Sequence, residues 1–199
     1  TGGINACSGN PSGGGCFTNE PDAAGYRNHA ATLRAGHRFA SDAEIEVTTL
    51  RAQGHNQFDG SYVNEADFAQ QALGAQLRFS PSEPWHATLR VGQSRDDSKN
   101  FLDSAYRNTF HTRRDTVSLQ NDITPAANQI ATLGIDYQND IVGGTTDYDV
   151  ASRDNKGVFA QYQIGVGQHD LQLSARSDDD QQFDSQNTYW LIRRSQWQW

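Results

Sequence analysis

Methionine is absent from all 199 residues, and cysteine and lysine occur only twice each. Without an initiator, the chain is expected to be a mature or excised piece, so the lack of a leader says nothing against secretion. No apolar run approaches the ~20 residues that a membrane-crossing helix needs, which excludes helical membrane proteins. A basic surplus is missing as well. The net charge of −8 argues against a nucleic-acid binder, which needs a cationic stripe to meet phosphates. Hydrophobic residues make up only 35% of the chain, which suits a loop-rich β protein, because the signal of a membrane strand is weak and alternating.

The two cysteines, Cys7 and Cys16, fall in one Gly-, Ser- and Asn-rich stretch, NACSGNPSGGGCF. A local disulfide is the natural expectation, constraining the loop by up to roughly 2.5 kcal/mol in the chain-entropy treatment and implying an oxidising compartment. Two free thiols are the alternative. Zinc is disfavoured, because no histidine or further cysteine stands nearby at a ligand spacing.

What the sequence does contain is shown once without interruption in GVFAQYQIGVGQHDLQLSARS, residues 157–177. Val158, Ala160, Tyr162, Ile164 and Val166 share one face, with Phe159, Gln161, Gln163 and Gly165 on the other. That is the period of two of a strand. Gly167 to Asp170 reverse the chain, and Leu171, Leu173 and Ala175 then alternate with Gln172, Ser174 and Arg176. The same pattern recurs at Ala31–Phe39, from Ile45 through Thr49, at Leu73–Phe79, Trp85–Val91, Val117–Ile123 and Ala131–Tyr137. About nine strands are expected, in an all-β antiparallel up-and-down meander.

Short turns are expected at Ala40–Ala43, Ser80–Pro84, Thr124–Asn128 and Gly167–Asp170. Between them lie polar connections that read as long loops: residues 51–67, Gln93–Asp115, Asn139–Lys156 and Asp178–Gln186. Sorting of short and long connections to opposite ends favours part of a transmembrane barrel over a soluble sandwich. Phe39, Phe79, Trp85, Tyr137 and Tyr189, near strand ends, fit interfacial girdles.

Three stretches carry a family resemblance: LSARSDDDQQF, GGTTDYDVASRDNKGVFAQYQ, and the first loop with TGGINACSGN and EPDAAGYRN. They resemble the barrel of TonB-dependent outer-membrane cobalamin (vitamin B12) transporters. In that family a twenty-two-stranded barrel surrounds an N-terminal plug preceded by a TonB-contacting segment. The resemblance therefore implies that residues 1–199 are a partial barrel domain lacking the plug, from the bacterial outer membrane, with cobalamin, outer-membrane lipid and, through the missing N-terminal region, TonB as partners. It fails after Phe183. NTYWLIRRSQWQW has tandem Arg193 and Arg194 and little alternation, so residues 184–199 are set apart as a non-native end.

The resemblance also implies calcium as a cofactor, held by loop oxygens. Carried over by position, Asn5 takes a place usually acidic, Asp22 and Asp59 match carboxylates, Ala24 replaces one, and the last ligand falls on Asn64 or Glu65. Fewer carboxylates imply weaker binding or one ion fewer. Substrate-contacting residues are not marked. From the residues alone, loop carboxylates without a metal are the simpler expectation.

No catalytic constellation accompanies this pattern. The six histidines are scattered, without a nucleophile elbow or HExxH, and Asp96–Asp97 and Asp178–Asp180 read as solvated loop carboxylates rather than a glycosidase pair. The chain is not expected to be an enzyme. Two other functions stand beside the importer: a passive porin or structural outer-membrane barrel, and a soluble secreted β-sandwich acting as a binding module.

Overall fold

The computed structural model describes residues 24–195. Nine strands follow one another in chain order: β1 (Tyr26–Arg38), β2 (Glu44–Gln57), β3 (Glu65–Ser82), β4 (Trp85–Leu102), β5 (Ala105–Ile123), β6 (Gln129–Gly144), β7 (Ser152–Val166), β8 (His169–Asp180) and β9 (Asp184–Ser195). Each pairs antiparallel with its neighbours in sequence, giving one sheet in the order β1 to β9. The expected meander is what forms. A sandwich needs a second sheet facing the first, and the described residues hold only one.

The four turns expected at one end are there. They occupy residues 39–43, 83–84, 124–128 and 167–168, and the second follows a break in register between Phe79 and Ser82. Asp42, Asn128 and Gly167 take positive φ in these reversals, conformations that Asp, Asn and Gly tolerate best.

The opposite end corrects the sequence reading. Gln93–Asp115 is not a long loop: β4 runs to Leu102, β5 starts at Ala105, and only Asp103 and Ser104 lie between. Both have positive φ, 49° and 65°, the pairing required by a type I′ hairpin turn. The other three expected long loops shrink to residues 58–64, 145–151 and 181–183. Short turns therefore occur at both ends, and the sorting of connection lengths fails as evidence. The meander rests on strand register instead.

The physical reason is that above residue 92 both faces of β4 are polar. Gln93, Arg95, Asp97 and Lys99 alternate with Ser94, Asp96, Ser98 and Asn100, so hydrophobic periodicity vanishes while the backbone ladder continues. Side chains on neighbouring strands then tie across, as in Gln70 Nε2 to Asp96 Oδ2 at 2.7 Å and Asn100 Nδ2 to Asn108 Oδ1 at 2.6 Å.

No conventional core exists among the described residues. The buried hydrophobic side chains are alanines, Ala52, Ala66 and Ala87, whereas Leu33, Ile135 and Val158 are more than half exposed. A water-soluble domain buries such side chains. A single-layer sheet leaves them for another solvent or another surface.

Candidate functional site

Register converts the alternation into two continuous surfaces. On one face, Ile45 lies opposite Leu77, Leu77 opposite Leu89, Leu89 opposite Leu119, Leu119 opposite Ile135, and Ile135 opposite Val158. Neighbouring rows add Val47, Ala75, Val91 and Val117, then Leu133 with Ala160, and Tyr162 with Leu173. The result is an apolar band crossing the sheet. Asn121 is a polar side chain inside it, and its Oδ1 accepts a hydrogen bond from the Trp85 indole at 3.0 Å.

Aromatic residues edge this band. Phe39, packed edge-on against His37 with ring centres 4.7 Å apart, lies with Trp85 on the short-turn margin. Tyr137 stands at the opposite margin, where its hydroxyl donates to Asp154 Oδ1 at 2.9 Å. Tyr and Trp favour this position in a bilayer because one end of the ring is apolar and the other wet.

The other face is polar and paired in charge. Near the short turns, Arg34 bonds Glu46 at 2.5 Å, and Glu44 receives Arg78 at 3.3 Å and Arg38 at 3.8 Å. Further along, Asp140 accepts Arg114 Nε at 2.6 Å and Arg114 Nη2 at 3.1 Å, and also Arg153 Nη2 at 3.0 Å. Arg176 spans Asp178 on its own strand and Asp136 on β6, both at 2.7 Å. These pairs are partly or fully solvated, so each adds little to stability. Their effect is to make a hydrophilic wall in which these arginines meet carboxylates, while Arg90 is held by the Gln76 amide oxygen at 2.8 Å and Asp96 by the Gln70 amide at 2.7 Å.

Two glycines shape that wall. A Cβ on Gly157 would sit 2.8 Å from Asp178 Oδ1 and 3.1 Å from Arg176 Cζ, so the bare backbone there is what admits the guanidinium. Gly134 likewise lies under the Phe159 ring, 2.9 Å from Cε2 to a built Cβ. Phe159 is an inward exception to the polar pattern, and Arg176 lies 5.7 Å above its ring centre.

In a bilayer only a closed barrel satisfies strand backbones, and the apolar face must then point to lipid with the charged face toward the lumen. At the end opposite the turns at 39–43, 83–84, 124–128 and 167–168 lie residues 58–64, 145–151 and 181–183, together with the Asp103–Ser104 turn. The structure places three of the residues named for metal binding there. Asn5 and Asp22, and the cysteines Cys7 and Cys16, lie outside the described residues.

Asp59 sits in the 58–64 segment, and its Oδ2 is buried without a hydrogen-bond partner among the described residues. A carboxylate oxygen in that state calls for a cation or a donor. Asn64 is buried too, but its side chain is engaged: Nδ2 donates to Asp103 Oδ1 at 2.9 Å, and Oδ1 accepts the Asp103 backbone N–H at 3.0 Å. Its own N–H donates to the Phe101 carbonyl at 2.9 Å. Asn64 thus clamps the 58–64 segment to the Asp103–Ser104 turn. Glu65 opens β3, with Oε1 at 3.4 Å from Ser104 Oγ. Of the three, Asp59 fits a metal ligand best. Among the described residues no cluster of three or more His, Cys, Asp or Glu is poised to hold a metal by itself.

Comparison with known proteins agrees with this geometry. Residues 9–199 match the family described as TonB dependent receptor-like, beta-barrel. The chain is 22% identical over 176 residues to the vitamin B12 transporter BtuB of Photobacterium profundum, covering 86% of this chain and 29% of that protein. It is 26% identical over 160 residues to BtuB of Vibrio vulnificus, covering 77% and 24% respectively. The chain thus spans less than a third of either transporter's length.

Among solved structures, the Serratia marcescens hemophore receptor HasR, in a double-mutant complex with HasA and heme, superposes with a TM-score of 0.56 at 15% identity, over 86% of this chain and 32% of that one. The copper transporter OprC gives 0.55 at 15% identity, over 84% and 33%. At such identity the likeness concerns the fold. Members of the matched family reside in the outer membrane, and this chain belongs to the TonB-dependent receptor-like β-barrel family.

Proposed function

We propose that this chain forms part of the barrel wall of an outer-membrane transporter that binds and imports cobalamin, with the connections at residues 58–64, 103–104, 145–151 and 181–183 facing outside. One observation carries the reading: a single sheet with an apolar band on one face and a charge-paired wall on the other, over a stretch similar to vitamin B12 transporters for most of its length. A pore wall needs both faces. The work is binding and gating, with no chemistry on the cargo, and energy coupling through TonB would enter by a region beyond these residues. The same reading puts the partners as cobalamin, TonB and outer-membrane lipid.

Calcium is proposed as the ion that orders the outer connections. Asp59 supplies a buried carboxylate oxygen lacking a partner among the described residues. Asp22, Asn5 and Glu65 would complete the site. The Asn64 carboxamide is committed to Asp103 and serves as the clamp. A bound divalent cation would offset repulsion between carboxylates gathered from separate loops.

A second reading keeps the wall and changes the cargo. It is favoured by the structural neighbours, a receptor in complex with a heme-bearing hemophore and a copper transporter, which use a similar wall. Isothermal titration of the full-length protein in detergent with cyanocobalamin, heme and copper separates the two. Saturable binding of cobalamin alone is expected. Binding of heme or copper with no response to cobalamin transfers the wall to the second reading, and a pore that conducts small solutes with no saturable ligand makes it a porin.

A further inference from the structure

The lumen face changes character across the sheet. In its short-turn half, β1 to β4 carry Arg34, Arg38, Glu44, Glu46, Arg78 and Arg90. On β6 to β9 the same face is uncharged over two full rows. Ile130 lies opposite Gln163, Gln163 opposite Gln172, and Gln172 opposite Ile192. One step further from the short turns, Thr132, Gln161, Ser174 and Trp190 stand opposite one another in the same strand order. Charge returns only at the borders. Arg176 with Asp136 lies beyond one side and Asp170 opposite Arg194 beyond the other, while Asp122 on β5 takes Thr132 Oγ1 at 2.7 Å and Gln120 Nε2 at 2.9 Å.

This neutral strip keeps hydrogen-bonding capacity in reserve. Gln172 Nε2 donates to Gln161 Oε1 at 2.9 Å, whereas the Gln163 carboxamide and the Trp190 indole N–H make no hydrogen bond among the described residues. A carboxamide in that state offers two donors and an acceptor, so it pairs with another amide in either sense. Trp190 is 65% exposed and Ile130 42%, which leaves apolar surface open on a face that is polar elsewhere. An indole so placed supplies a flat contact surface and one donor.

Gln163, Gln172, Ile130 and Ile192 line a hollow of roughly 580 Å³ that reaches Arg194 at the short-turn rim. That volume suits a ring-sized ligand. The lining decides its chemistry. A ligand entering here strips water from amides and apolar groups but from no charged group of the two rows, so a neutral ligand is desolvated at little cost, while an ion would find no counter-charge. Contacts between amides and over an aromatic face are weak singly and repeated along the wall. Passage through a pore needs sites of that kind, favourable enough to enter and weak enough to leave.

We propose that Gln161, Gln163, Gln172 and Trp190, with Ile130 and Ile192, form a transit site on the lumen wall that holds a neutral, amide-fringed ring after it leaves the outer connections. The site rests on the cobalamin reading, since cobalamin is such a ring, and adds to it a route along β6 to β9. The wall of β1 to β4 lies off that route, because its charged groups are engaged with one another or, at Arg90, with Gln76.

The test separates binding from passage in bacteria carrying the full-length protein and its TonB partner, with radiolabelled cyanocobalamin as the probe. Surface affinity is read in de-energised cells and maximal uptake rate in energised ones. Gln163→Ala removes no hydrogen bond among the described residues and so guards against misfolding; its uptake should fall at least about threefold while surface affinity stays within about twofold of wild type. Q163A/Q172A/W190A should lower uptake at least about tenfold. Gln76→Ala, an amide lost from the ion-paired wall, should stay within about twofold of wild type in both readings. Undiminished uptake in Gln163→Ala, a loss of affinity in step with uptake, or an equal loss in Gln76→Ala overturns the transit site. Unchanged uptake with raised ion conductance in planar bilayers also overturns it, making the strip a seat for a folded domain that fills the lumen. No cobalamin binding by the wild type overturns the proposed function and the transit site together.

Discussion

Arg176 on β8 bonds Asp136 on β6 at 2.7 Å by passing over Gly157 on the intervening strand, so three strands share one ion pair. The contact depends on a missing side chain. Gly157→Ala would place a methyl group 3.1 Å from Arg176 Cζ and 2.8 Å from Asp178 Oδ1, and the guanidinium must move. A cost of about 1 kcal/mol is expected, because the pair is partly solvated. Denaturant unfolding of Gly157→Ala, Asp136→Asn and the double variant checks it. Strict additivity would mean that Gly157 does not govern the Arg176–Asp136 contact.

Which face meets lipid is tested by moving a charge. Ile135 and Val158 lie opposite each other in the band, whereas Gln161 points to the other face. Val158→Arg should destabilise the folded barrel in lipid by about 2–4 kcal/mol, and Gln161→Arg by much less. Refolding titrations of the full-length protein into bilayers give both values. Equal costs would reverse or abolish the assignment of faces.

Much of this wall was legible in the sequence wherever one face is apolar. Trp85–Val91 and Val158–Val166 show their strands because hydrophobic side chains alternate with polar ones. The outer halves of β4 and β5 were not legible, since side chains from Gln93 to Asn100 are polar on both faces and carry no period. Those residues read as a loop although the ladder continues to Leu102 and Ala105. The signal that was present is Asp103–Ser104, a dipeptide of turn formers flanked by Leu102 and Ala105. Asp59 was found only through a family resemblance, and the Asn64–Asp103 clamp joins positions far apart in the chain, which no local pattern reveals.

That clamp gives a further expectation. Asn64→Ala removes two side-chain hydrogen bonds to Asp103 and leaves the Asp103 N–H without its acceptor. The loss should be about 1–3 kcal/mol, expressed locally as faster hydrogen exchange in residues 58–64 and in the Asp103–Ser104 turn. Protection of the β6–β7 ladder should not change. Uniform loosening of the whole sheet would show that Asn64 supports the fold rather than this connection.

Cys7 and Cys16 are expected to be joined in the natively secreted protein, as eight small or polar residues between them allow closure and the outer surface is oxidising. Peptide mass mapping without reduction should recover a linked fragment. Two alkylated thiols would reject both the bond and the compartment it implies.

The metal proposal makes the strongest demand on the outer connections. Asp59 Oδ2 is buried and lacks a hydrogen-bond partner among the described residues, a costly state for a polar atom. A divalent cation shared with Asp22 and Glu65 would remove that cost and draw connections from distant parts of the chain together. Once ordered, these connections lose less conformational entropy when cargo arrives, so calcium should tighten cobalamin binding. Asp59→Ala should remove most of that enhancement while leaving the barrel folded, because the residue lies in a connection outside the strand ladder. Cobalamin titrations of the full-length protein with calcium and with chelator, for wild type and Asp59→Ala, provide the four affinities needed. Equal wild-type affinities in the two conditions reject the metal link, and an Asp59→Ala protein that still gains the full enhancement moves the ion to other ligands.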